Sequence, residues 1–405
     1  MSSSPVAVTG IGMLTPAGVG VEASWQGVSA ARATASRDAE LAGMPVDISC
    51  RVPVDPAQLL DGRIARRMDR FTQFAVLAAR EAVADAGLDP RTWDGARVAV
   101  VLGCADGGPG TVERQHRVLL EQAAAQVSSL LLPMQLPNMS AGQVCIDLGA
   151  GGPSMVIATA CASGATAIGI ARDLLLMKRC DVALAGGSEA MITPLVMAGF
   201  AQMGALSRRL DSPRTASRPF DKDRDGFVAG EGAALLVLER PDDARARRAR
   251  VRGHVAGFGA SSDAHHITAP DPTGAGSERA LRSALADAGI GPDEVDHVNA
   301  HGTSTPLNDR VEARVIERVL GSRPVVTSTK GVTGHLFGAA GAAEAAFGLL
   351  AIEHQLVPPT ANLTTPDPGI EIRLAYGPTP ARIEVTVSNS LGFGGQNAVL
   401  VLTAA

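Results

Sequence analysis

The chain has 405 residues, long enough for two joined halves packed around more than one core. With 46% hydrophobic, 19% charged and only 3% aromatic residues, and with 45 glycines, it reads as globular and packed through close backbone approach. Its 36 basic against 41 acidic residues leave a formal charge of −5, which argues against nucleic acid as a partner.

The opening MSSSPVAVTGIG has no cationic leader, and no run reaches the roughly 18 apolar residues of a membrane span, so a cytoplasmic protein is expected. Strands are predicted at Val6–Thr9, Arg97–Leu102, Ser154–Ala158, Val182–Ala185, Ala233–Leu238, Val295–Asn299, Val325–Ser328, Glu384–Val387 and Ala398–Leu402. Between them, helices are predicted at Phe71–Ala86, Ser163–Lys178, Gly276–Ala288, Asn308–Val319 and Ala339–His354. Such alternation implies an α/β architecture with buried sheets. The stretch Pro241–Arg250 is the best seam between an N-terminal half (1–245) and a C-terminal half (246–405). Its arginines, Arg245 to Arg252, are expected to form a solvated face; the alternative is a docking patch for an acidic carrier.

Five cysteines, Cys50, Cys104, Cys145, Cys161 and Cys180, are odd in number and form no CxxC pair, so neither a disulfide framework nor a zinc site is expected. Only Cys161 sits where a short apolar strand breaks into small residues and a helix begins. There the helix end favours thiolate, as an acyl-accepting nucleophile requires. The other four read as small buried hydrophobes.

His301 follows a strand, and Thr303 and Thr305 come after it at alternate positions, able to face one way and hold a polar, extended substrate arm. In Ser328-Thr-Lys330-Gly-Val-Thr-Gly-His335, a cation beside an imidazole biases that ring toward its neutral form, leaving Nε2 to donate or accept. Glycines around Phe393 allow backbone N–H groups to point into a cavity as an oxyanion hole, with the ring as a movable lid; the alternative is a tight hairpin with a buried Phe.

Three other motifs fail. Asp221-Lys-Asp223-Arg-Asp225-Gly226 opens like a calcium loop, but Gly232 stands where the bidentate Glu belongs. The glycine-rich stretch Gly103–Gly110 fits no nucleotide-binding spacing, and Gly186-Gly-Ser188-Glu189-Ala190 is one glycine short of a serine-hydrolase elbow.

In chain order, VAVTGIGMLTPAG, ATACASG, SRPFDKDRDGFVAGEGA, NAHGTSTPLND, STKGVTGHLFGAAGAAEA and SNSLGFGGQNA resemble the elongating β-ketoacyl-acyl-carrier-protein synthases from Val6 to Leu402. The resemblance implies a thiolase-like fold: duplicated halves in a five-layered α/β/α/β/α core, paired as a homodimer or as a heterodimer with a homologous chain-length partner. It implies Cys161 as nucleophile, His301 and His335 as the two histidines, Lys330 held by Glu344, the N–H groups of Cys161 and Phe393 as oxyanion hole, and Thr303 and Thr305 on the phosphopantetheine arm. Gly394 joins the substrate-binding set. The implied reaction is a decarboxylative Claisen condensation of an acyl group on Cys161 with a malonyl group on acyl carrier protein, with no bound cofactor and no metal.

The sequence departs from the fatty-acid pattern in places. Asp106 falls where an aliphatic residue usually closes the acyl pocket, and Leu391 and Gln396 also differ. A carboxylate beside a saturated chain is costly, which favours a type II polyketide ketosynthase over a fatty-acid elongating enzyme. A non-catalytic partner subunit or a thioester hydrolase are the competing readings. Cys161 with both histidines argues against the first.

Overall fold

The computed structural model describes residues 5–405. Ten strands carry the fold: β1 (Val6–Thr15), β2 (Val98–Gly103), β3 (Ser154–Ile157), β4 (Val182–Glu189), β5 (Gly232–Glu239), β6 (Gly253–Ser262), β7 (His297–Asn299), β8 (Val325–Thr327), β9 (Val385–Gly392) and β10 (Gln396–Thr403). The first five run in the order β1-β5-β4-β2-β3 and the second five in the order β6-β10-β9-β7-β8. Reading along each order, the pairings are antiparallel, antiparallel, parallel, parallel in both halves. The duplication is therefore visible in topology as well as in length. A short antiparallel pairing of Val6–Val8 with Gly253–Val255 joins the two half-sheets.

Six helices complete the layers: α1 (Arg70–Asp85), α2 (Met139–Leu148), α3 (Ser163–Leu176), α4 (Ala275–Ala288), α5 (Pro306–Leu320) and α6 (Ala340–His354). One hydrophobic cluster lies between the sheets and contains α3, α6 and the inner faces of both. A second joins α1 and α2 to the outer face of the first sheet, and a third joins α4 and α5 to the outer face of the second. Three cores separated by two sheets give the five layers α/β/α/β/α. Apart from Glu344, α6 is apolar all round because it lies between the sheets, buried from Ala340 to Ile352. Among the described residues no helix is long and apolar enough to cross a membrane.

Two differences from the sequence reading share one cause. β1 continues through Gly10-Ile-Gly12 to Thr15, and the whole of β6 (GHVAGFGASS) was absent from the predicted strands. Glycine weakens a strand signal, yet here it is what lets a helix dock. A Cβ on Gly10 or Gly12 would stand 2.1 or 2.0 Å from carbonyls of α1, and on Gly257 or Gly259 2.3 or 2.2 Å from carbonyls of α4. The same contact recurs in both halves.

The basic stretch is largely the solvated face expected, with Arg245, Arg248 and Arg250 exposed and ion pairs running along it. Arg247 is bound to Glu239, Arg252 to Asp85 and Glu353, Arg250 to Glu353 and Arg245 to Asp242. Helix Pro241–Ala246, between β5 and β6, leads into this stretch.

Candidate active site

β3 ends at Ile157 and α3 begins at Ser163; the link is a tight turn over Ala160–Ala162. Ala160 adopts a left-handed φ of 49°, a strained backbone that Ser163 braces by accepting from Thr159 N–H and donating to the Ala160 carbonyl. Cys161, raised on this turn, keeps some surface open to a cavity of ≈ 480 Å³. His301, Thr303, Thr305, His335 and Phe393 line the same cavity, as do Phe200, Phe227 and Phe337.

The sulfur, both imidazoles and the ammonium meet. His335 Nε2 is 3.0 Å from Cys161 Sγ, and the two histidine rings stand edge to face with centroids 5.4 Å apart. The Phe337 backbone N–H donates to His335 Nδ1 at 3.3 Å, and Lys330 Nζ lies 3.4 Å from His301 Nδ1. Both inner nitrogens thus face donors, and this pattern assigns each neutral ring its hydrogen on Nε2, the cavity side. Lys330 is 1% exposed; Nζ donates to the His301 carbonyl at 2.6 Å and pairs with Glu344 Oε1. Burial, then Lys330, holds His335 and His301 well below the usual histidine range, with His335 adding to the effect on His301. Both rings are therefore neutral hydrogen-bond donors, as the Lys330–His335 spacing predicted for the second.

The helix end does not make Cys161 a low-pKa thiol, contrary to the expectation from its position. Burial pushes its thiol up to about 11, against Lys330 and the N–H groups of Phe393 and Cys161, which pull the other way. Those two N–H groups nevertheless point at the sulfur, where an oxyanion on an attached acyl carbon would form. Gly392 makes this possible: a Cβ there would stand 2.7 Å from the Thr159 carbonyl and 3.1 Å from Cys161 N.

Thr303 and Thr305 hydrogen-bond to each other at 2.9 Å. Two expected substrate contacts are not in the cavity lining. Asp106 is exposed beyond Ala105, its backbone N–H donating to the buried Glu189 at 3.4 Å, and the Gly394 N–H is already used by the Ile267 carbonyl at 2.8 Å. Asp106 therefore does not close this pocket, and Gly394 serves the loop by its φ of 75°.

Glu312 escaped the sequence reading. Its carboxylate accepts the His301 and Gly302 N–H groups at 2.7 and 2.8 Å and Asn389 Nδ2 at 3.1 Å, fixing the histidine turn to α5 and β9. An acidic residue inside an apolar helix face was the available signal. The aromatic wall also went unread: Phe337 stacks on His335 and on Phe200 at 5.1 and 5.3 Å.

Two of the three carboxylates of the calcium-like loop are already engaged. Asp221 is saturated by Arg218, Asp223 N, Thr364 and Thr365, and Asp225 by Ser207 and Arg208 N. The ligand atoms of Cys161, His301 and His335 all lie within 4.8 Å of one another, a set that could hold a soft ion such as zinc. A wider groove of ≈ 1420 Å³ elsewhere is lined by no cysteine or histidine, and its Arg51, Arg70 and Arg114 are paired with carboxylates.

Residues 3–244 match the family described as "Beta-ketoacyl synthase, N-terminal domain", and residues 252–364 its "C-terminal domain". The chain belongs to the β-ketoacyl synthase family. This synthase is 44% identical over 98% of its length, and 97% of the relative's, to 3-oxoacyl-[acyl-carrier-protein] synthase 2 of Synechocystis sp.. It is 40% identical, over 99% of both chains, to the protein of the same name from Vibrio cholerae. Among solved structures, the ishigamide ketosynthase/chain length factor superposes with a TM-score of 0.92 at 33% identity over 100% of both chains. A β-ketoacyl synthase from Burkholderia phymatum gives 0.92 at 32% identity, covering 99% of this chain and 100% of that one.

Proposed function

We propose that this β-ketoacyl synthase extends an acyl chain held on Cys161 by decarboxylative Claisen condensation with a malonyl group delivered on acyl carrier protein. The observation that carries the reading is the convergence of Cys161 Sγ and two neutral imidazoles, backed by Lys330, in one aromatic-walled cavity.

Each step balances in electrons and atoms. In acyl transfer the Cys161 sulfur attacks the incoming thioester carbonyl, the Cys161 and Phe393 N–H groups receive the oxyanion, and the departing carrier thiolate takes the proton that Cys161 loses. The malonyl thioester then enters past Thr303 and Thr305, its carbonyl oxygen facing Nε2–H of His301 and His335. Its C–CO₂ bond breaks, CO₂ leaves, and the electron pair becomes an enolate whose oxygen both rings stabilise. The enolate carbon attacks the acyl carbon, the C–S bond breaks, and Cys161 leaves as thiolate and regains a proton. Loss of CO₂ supplies the driving force, so the reading needs no cofactor and no metal.

The substrate class we favour is a type II polyketide chain, supported by structural likeness to the ishigamide ketosynthase/chain length factor and to the ketosynthase in a structure described as "type II PKS acyl-carrier protein in complex with its ketosynthase bound to the hexaketide". A second reading, a fatty-acid elongating enzyme, is favoured by the apolar cavity wall and by Asp106 standing outside it. A dimer with a second copy or a homologous partner is supported by β3, an edge strand beside the nucleophile, and by exposed Leu132, Leu136 and Ile146. We place the protein in the cytoplasm, where carrier-bound substrates meet it.

The test exposes the protein to acyl-carriers and malonyl-carrier while intact mass and released CO₂ are followed. An acyl adduct on Cys161, CO₂ release and a product two carbons longer are expected. Wild-type protein that gains no adduct and releases no CO₂ would sink the reading.

A further inference from the structure

The failed elbow motif places Glu189 at the end of β4, fully buried, outside the set of reacting groups. Its carboxylate accepts the Ala105 N–H at 2.5 Å, the Asp106 N–H at 3.4 Å and the Cys104 thiol at 3.3 Å, all in the loop after β2. It also accepts the Gly338 N–H at 3.2 Å, in the turn after His335. One carboxylate thus joins two segments from opposite halves of the fold. Each presents a residue to the acyl cavity: Ala105 from the first and Phe337, stacked between His335 and Phe200, from the second. The approach is close, since a Cβ on Gly338 would stand 2.4 Å from Glu189 Oε2 and 2.7 Å from Ala105 N.

We propose that Glu189 is a positioning residue whose carboxylate clamps the Cys104–Asp106 loop to the Phe337–Ala339 turn and thereby sets how long an acyl chain the cavity accepts. This rests on the condensation reading above. Ala105 and Phe337 both line the cavity that opens from Cys161, so a longer acyl chain meets more of the wall they form than a short one does. The titratable and charged groups that meet Glu189 are Cys104 and Asp106, both from the loop it holds; burial lifts its carboxyl to about 7, with Asp106 adding to the rise. As pH falls through that value the carboxylate gains a proton and loses acceptor capacity for the loop.

The experiment compares the full-length wild type, Glu189→Gln and Gly338→Ala with butyryl- and dodecanoyl-carriers, reading Cys161 acylation by intact mass and kcat/KM for condensation. In both variants the dodecanoyl to butyryl ratio should fall about tenfold, the consequence of losing one charge-assisted hydrogen bond, with butyryl transfer retained. The wild-type ratio should drift toward the variant value as pH is lowered from about 8 to about 6, and in Glu189→Gln it should stay flat. Unchanged ratios in both variants, or an equal loss for both chain lengths, overturns the clamp. A wild type that neither takes up acyl groups nor releases CO₂ overturns the condensation reading instead, and that result appears before any variant is compared.

Discussion

Replacing Lys330 by Met leaves Glu344 buried without its cation, and the consequence depends on pH in a way that can be worked out. Burial lifts the Glu344 carboxyl from 4.5 to about 7, and Lys330 is the strongest force holding it down. By linkage, lifting a carboxyl that far corresponds to about 3 kcal/mol. A carboxyl raised on folding contributes stability fully below its unfolded value, and that contribution is lost as pH rises to the folded value. In the wild type this loss is complete once pH passes about 7. Without Lys330 the folded value climbs further, so Lys330→Met should keep losing stability above that point. Breaking a buried pair by removing one partner costs about 3–5 kcal/mol, and the double variant Lys330→Met/Glu344→Gln should recover most of it. Urea unfolding of the three proteins between about pH 6 and 9 measures this directly. A gap between Lys330→Met and wild type that stays constant over the range would refute the argument.

Iodoacetamide labelling of Cys161 should speed up with pH by about tenfold per unit from neutrality toward its pKa, because only the thiolate reacts; a plateau near neutrality would show that burial does not govern the sulfur. Glu312→Gln frees the His301 turn and should lower malonyl decarboxylation by about tenfold or more while Cys161 still acquires its acyl group, read by CO₂ release beside intact mass. Gly392→Ala should do the reverse and slow acylation first, since its Cβ presses on Cys161 N. Gly12→Ala, with a Cβ 2.0 Å from the Ala78 carbonyl, should cost about 1–3 kcal/mol or more in unfolding with little change in the KM of the remaining folded enzyme.

Helices were legible because their apolar spacing is local: four of the five predicted ones, from Phe71, Ser163, Gly276 and Ala339, begin within one residue of the observed start, and the fifth, from Asn308, within two. β6 was not legible, since Gly257 and Gly259 are explained only by α4 packing against them. The reacting groups were readable as residue types at strand ends. Their protonation was not, because desolvation is a property of the closed cavity: the motif around Cys161 says nothing of the burial that lifts its thiol. Glu189 and Glu312 stayed hidden for a related reason. Both act by accepting backbone N–H groups from segments whose side chains carry no trace of the contact.

The duplicated topology explains why the site is split between halves. α3 follows β3, and α6 follows β8, the corresponding strand of the second half. Both helices lie in the central layer, and they meet at their first turns. Gly164 is the second residue of α3 and Gly341 the second of α6; a Cβ on the first would stand 2.8 Å from Ala342 N, and on the second 2.9 Å from Ala165 N. Two helix starts are thus pressed together at backbone distance. Cys161 precedes one and His335 the other, so bringing the starts together brings the sulfur to the imidazole. The positive end of α3 then lies beside Cys161, in a reaction whose tetrahedral oxyanion carries negative charge. Neither half alone carries both the sulfur and the imidazoles, which is why the chemistry requires the pair.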